Sequence, residues 1–145
     1  MLIQTTVKAK IMKIFFIFYL YILSFSVFSE EIPKLMIENV DSLATLKAPL
    51  NLCTNTNNFN KLEVKKQINY IGLAAKIDGM ALKIQTHYHD KTIFEFYLRM
   101  VSKYSDSQSA NVIIKKYGGL CTEKMLYEIE GIFNESEGQM NRFLK

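Results

Sequence analysis

The sequence predicts an all-α fold: a small helical bundle of about five helices stapled by one disulfide, after an N-terminal signal peptide. Three observations carry this. Beyond residue 30, apolar residues recur at spacings of three and four, the period of a helix, and not at two. Prolines, a glycine pair and Asn- or Ser-rich stretches cut the chain into segments of helical length. The two cysteines, Cys53 and Cys121, fall at junctions between those segments.

Residues 1–29 have the parts of an export signal. Lys8, Lys10 and Lys13 give a positive start, and residues 14–28 form an apolar run broken only by Ser24 and Ser26. Val27 and Ser29 are the small residues of a cleavage site, with Glu30 opening the mature chain. The apolar run has 15 residues, fewer than the roughly 20 that cross a bilayer as a helix. Translation from Met12 would leave a compact signal with one lysine. Two regions follow: 1–29, the signal peptide, and 30–145, a single helical domain of the size that carries one core.

Subtracting the signal changes the electrostatics. The whole chain carries +4, but residues 1–29 hold three of its 18 basic residues and none of its 14 acidic ones. The remaining balance of +1 gives no footprint for nucleic acid. Residues 61–116 are the basic part, with ten basic and five acidic residues. In an oxidising compartment, two cysteines and no C-x-x-C predict a Cys53–Cys121 disulfide and no zinc or redox site. At a sequence separation of 68, the bond is worth up to about 4 kcal/mol of chain entropy.

The first helix is expected between Pro33, in its first turn, and Pro49, which ends it; Leu35, Met36, Val40, Leu43 and Leu46 have its spacing. Residues 54–60 (TNTNNFN) read as a loop, because Asn and Thr side chains compete for the backbone, and Asn60 reads as an N-cap with Glu63 three residues on. Residues 62–86 form the next helix. Val64, Ile68, Ile71, Ala75 and Leu82 make one stripe, widened by Leu73, Ile77, Met80 and Ile84, so this helix is expected at the centre, packed on several sides. Gly72 and Gly79 cost it up to about 1 kcal/mol each and mark close helix packing.

Asp90 is placed to cap a helix over 91–104, apolar nearly all round and so wedged inside the bundle; a buried strand over 92–98 is the competing reading. After a polar turn at 105–109, a short helix over 110–117 stops at Gly118-Gly119. Thr122 caps the last helix, with Met125, Leu126, Ile129, Ile132 and Phe133 on one face, ending over 134–138.

Candidate chemistry is sparse. His87, His89 and Asp90 are the candidate metal ligands: imidazoles two apart converge on extended backbone, but diverge by about 200° on a helix. Asp78, Glu95 and Asp106 are the acid–base candidates, and no spacing brings them together. Glu123, Glu128, Glu130, Glu135 and Glu137 give the last helix an acidic outer face. Phe94, Phe96, Tyr97, Tyr104 and Tyr117 cluster in the middle helices, as core or as part of a partner groove. No phosphate-binding loop, nucleophile elbow, Ser-x-x-Lys or His-Glu-x-x-His occurs, so neither an enzyme nor a cofactor is expected.

These readings predict a periplasmic or secreted protein that binds another protein, without nucleic acid and without a stable membrane span once the signal is cleaved. The alternative is a metal- or small-ligand-binding protein using His87, His89 and Asp90. In size, export and helix–cysteine order the chain is similar to two bacterial groups. One is the small periplasmic immunity proteins that neutralise cell-wall-degrading toxins. The other is the helical pilotins of secretion systems, in which a disulfide also ties a late helix to an earlier one. The resemblance implies a protein partner and assigns no site residue.

Overall fold

Pro33, with φ fixed at −56°, sets the start of α1 (Lys34–Thr54), its carbonyl accepting from the Met36 amide at 2.7 Å. The computed structural model describes residues 32–145; the signal peptide expected at 1–29 and the cleavage site expected at Ser29 and Glu30 lie outside them. Five further helices follow: α2 (Asn57–Asn60), α3 (Val64–Tyr88), α4 (Thr92–Tyr104), α5 (Ser107–Tyr117) and α6 (Glu123–Phe143). There is no strand among the described residues, and 32–145 cluster as one unit.

The all-α expectation and the disulfide hold. Cys53, in the last turn of α1, is bonded to Cys121, just ahead of α6, with Cα atoms 5.0 Å apart. Local chemistry sets several ends, at Gly118 and Thr122 as expected and at the start of α5 three residues ahead of the expected 110. Asp106 caps α5 by accepting from the Ser109 amide at 2.7 Å, and this bond holds its carboxyl below the ordinary value. Gly118, at φ +73°, closes the same helix in the left-handed conformation that glycine adopts without strain. Thr122 Oγ1 accepts from the Met125 amide at 3.2 Å and caps α6.

Elsewhere tertiary burial overrides local signals. Pro49 does not end α1; the helix runs through it to Thr54. Its missing N–H leaves the Thr45 carbonyl without an i+4 donor, at a cost of about 3 kcal/mol. Against that stands the burial of Pro49 together with Leu46, Ala48, Leu50 and Cys53. The helix stops where Thr54 Oγ1 donates to the Asn51 carbonyl and Thr56 Oγ1 to the Cys53 carbonyl, satisfying its last acceptors. Residues 54–60 are therefore not all loop. Asn57–Asn60 makes a single turn, α2, that buries Phe59, and Asn60 ends it while Glu63 precedes α3. α6 also runs past 134–138 to Phe143, because Met140 extends its buried row of Met125, Ile129 and Phe133.

The centre of the bundle is α1, not α3. α1 packs on α3, α4 and α6 and touches α5, and it buries residues on several sides, among them Met36, Val40, Leu43, Ala44 and Ala48. α4 is not wedged inside: Ile93, Tyr97 and Val101 are buried, Phe94 and Phe96 half-buried, and Leu98 is 51% exposed. A polar bracket ties α1, α3 and α4. Asp78 receives the Lys47 ammonium at 2.5 Å on one oxygen and the Tyr97 hydroxyl at 2.6 Å on the other. Burial, then the Asp78 bond, pushes the Tyr97 hydroxyl far up, so it stays a donor. α3 and α6 run parallel: Lys66 meets Glu123 at 2.6 Å and Lys83 meets Asn141 at 2.5 Å, at sequence offsets of 57 and 58.

Candidate interaction face

α3 buries Tyr70, Leu73, Ile77, Met80, Ala81 and Ile84. At about 100° per residue these share one side, and the opposite side carries the stripe Val64, Ile68, Ile71, Ala75 and Leu82. That stripe faces out. Val64 is 70% exposed, Ile68 62%, Ile71 54% and Leu82 43%. Gly72, Gly79 and Thr86 complete it, all exposed. Over an arc of about 100° the outer side of α3 has no charged side chain. An exposed helix is ordinarily charged there, so this contiguous uncharged strip is the surface that stands out.

The glycines on the strip are not sites of close packing within the chain. A Cβ built at Gly72 or Gly79 meets nothing within 4 Å. The helix bears their cost with no internal contact to explain them.

The strip has distinct flanks. On the α6 side, exposed Lys65, Lys76 and Lys83 form a row. Beyond it, across the groove between the helices, α6 presents Glu123, Glu130 and Glu137. At the N-terminal end this groove opens into a cleft of about 270 Å³ bordered by Leu62, Tyr70, Leu126 and Tyr127, with the Lys66–Glu123 pair at its side. The Tyr70 hydroxyl donates to the Thr122 carbonyl at 2.6 Å, and burial, then the Glu123 charge, pushes its pKa up to about 12. Hydrogen bonding and charge from Lys66 hold Glu123 below its ordinary value, and Glu123 in turn raises Lys66.

The candidate metal ligands sit where α3 meets α4. His87 is exposed, its ring edge-on to Tyr88 at 4.9 Å. His89 adopts φ +52° and terminates α3. Asp90 Oδ1 accepts from the Thr92 amide at 2.9 Å and the Thr92 hydroxyl at 2.7 Å, so it starts α4 as the sequence suggests. Among the described residues, no group of three or more His, Cys, Asp or Glu is placed to hold a metal ion. The acid–base candidates are apart: Asp78 lies in the α1–α3–α4 bracket, Glu95 is exposed on α4, and Asp106 caps α5. The aromatic cluster packs: Phe94 stacks on Tyr97 at 5.4 Å, Tyr104 donates to Asp41 at 2.9 Å, and Tyr117 is buried under the Lys116 ammonium.

Fold and surface together define a single-disulfide helical bundle with an open, uncharged helix face. No protein-family model, no curated protein and no solved structure matches the chain. No helix among the described residues is long and apolar enough to cross a membrane, and the disulfide is compatible with an oxidising, exported location.

Proposed function

We propose that this is an exported protein that works by binding another protein through the outer strip of α3. The observation that carries this reading is the exposure of Val64, Ile68, Ile71 and Leu82 along one uncharged side of a well-packed helix. Burying the exposed part of each side chain contributes about 1 kcal/mol, enough to drive a moderate association when rim contacts add to it. The Asp78 bracket and the Tyr70–Thr122 bond hold α3 to the bundle, so little ordering is needed on binding. An inhibitor of a cell-wall hydrolase or an accessory of a secretion system are the partner classes that the layout suggests.

Site-specific photocrosslinking in the producing cells tests this. A crosslinking residue at Ile71 should give a discrete adduct, and one at exposed Ser102 on α4 should not. Mass spectrometry of the adduct then separates a hydrolase from a secretion component. Equal or absent crosslinking at the two positions would overturn the reading.

A further inference from the structure

The face that carries the strip also carries two rows of opposite charge. Read across it, the order is the uncharged strip of α3, then Lys65, Lys76 and Lys83, then the groove, then Glu123, Glu130 and Glu137 of α6. Outermost on α6 come Tyr127, 80% exposed, and the exposed Asn134 and Gly138. Lys65, Lys76, Glu130 and Glu137 enter no ion pair among the described residues. α3 and α6 are parallel and keep an offset of 57 to 58 over their shared length, so Lys65 lies level with Glu123, while Lys76 and Lys83 lie about one helical turn past Glu130 and Glu137.

Such a face is complementary to itself. A two-fold axis along the groove, parallel to both helices, exchanges the two sides and keeps every level. The lysine row of one copy then meets the glutamate row of the other, with Lys76 about one helical turn from Glu130, a gap its long side chain spans. The uncharged strip meets the outer row of α6. There Gly131 leaves a hollow of about 510 Å³ bordered by Tyr127, Glu130 and Asn134. By the same offset, Ile71 and Gly72 lie level with this hollow and Gly79 with Gly138. The four glycines, each open to solvent within the chain, would sit where two backbones approach. We infer that the α3–α6 face binds a second copy of this chain as a parallel two-fold dimer. This deepens the reading of the α3 strip as a binding face and rests on it: the weak dimer covers the strip when no other partner holds it.

Two helices about 30 Å long and about 10 Å apart offer roughly 600 Å² from each copy, about 1,200 Å² in all. That is the lower limit of a stable interface, so the dimer is expected to dissociate in the micromolar range.

Analytical ultracentrifugation of the purified, oxidised protein, from micromolar to near-millimolar concentration, tests this. A monomer–dimer equilibrium is expected. Lys76→Glu and Glu130→Lys should each weaken self-association by about tenfold or more, since each sets like charges opposite one another twice per dimer. Mixing the two variants should restore it, because both contacts in the mixed dimer are again between opposite charges. Both positions are exposed, so helical circular dichroism should be unchanged. A monomer at every concentration, a dimer indifferent to both reversals, or a mixture that fails to recover would each overturn the dimer. A monomer that still crosslinks at Ile71 to a different protein would overturn the dimer and leave the binding strip standing. A dimer with no crosslink at Ile71 would sink the strip itself, and this arrangement with it.

Discussion

α1 and α3 are both long and both rich in apolar residues, yet they meet different fates. α1 has neighbours on most sides, and nine of its 21 residues are buried. α3 has 25 residues and buries six, all on one side, while an equally apolar stripe faces out. Apolar content is therefore a poor guide to which helix forms the centre. What decides is how many neighbours the topology supplies, and the Cys53–Cys121 bond fixes that by bringing α6 back against α1.

The sharpest separation of the two regions comes from the disulfide, which belongs wholly to the α1 side of the comparison. Replacing Cys53 and Cys121 together by Ser should lower stability by up to about 4 kcal/mol. It should also loosen the α1–α6 contact before the α3–α4 one. Urea unfolding with hydrogen exchange checks both. A loss below about 1 kcal/mol would mean that packing alone holds α6 in place.

Next comes the contrast between buried and outer apolar residues. Leu43→Ala on α1 and Ile77→Ala on the inner side of α3 remove fully buried side chains and should cost about 2–5 kcal/mol each. Ile71→Ala, on the strip, should change monomer stability by no more than about 0.5 kcal/mol. Comparable losses at Ile71 and Ile77 would show that the strip is part of the core and not a face.

How much of this was legible in the sequence follows the same division. Features set by one residue's chemistry were readable: the paired cysteines, the cap at Thr122, and the glycine stop at Gly118. Features decided by distant packing were not. Pro49 carries a local stop signal that burial outweighs. Residues 134–138 look like an end because nothing nearby announces Met140. The α3 strip is visible in the sequence as a stripe, but nothing there separates it from the inner row, so both read as packed surface. A 3.6-residue period reveals that apolar residues align without saying which line meets the core. Two clues could have helped. Tyr70 lines up with Leu73, Ile77 and Ile84 to make the inner row self-sufficient, and both glycines fall on the other side.

Tyr70 gives a smaller effect with a distinct pH signature. Its folded pKa, pushed up to about 12, lies above the unfolded value near 10. The folded state therefore holds the proton more tightly, so this contribution is intact below about pH 10 and is lost as pH rises toward 12. Tyr70→Phe removes the bond to the Thr122 carbonyl and should cost about 1–2 kcal/mol at neutral pH. The gap between wild type and variant should narrow by about 2 kcal/mol or close between pH 10 and pH 12. A gap independent of pH would show that the hydroxyl is not held at the start of α6.

The last predicted effect is the only one that stabilises. Gly72 is helical, exposed and has open space where a Cβ would stand. Gly72→Ala should therefore raise monomer stability by about 0.5–1 kcal/mol, through higher helix propensity and a less flexible unfolded chain. No comparable gain is available on α1, which has no glycine and whose alanines Ala44 and Ala48 are already packed at zero exposure. A gain in the monomer would confirm that the fold does not require this glycine and that whatever requires it lies outside the chain. A loss would instead place a constraint on α3 from within the bundle, and the difference between the two helices would shrink to one of degree.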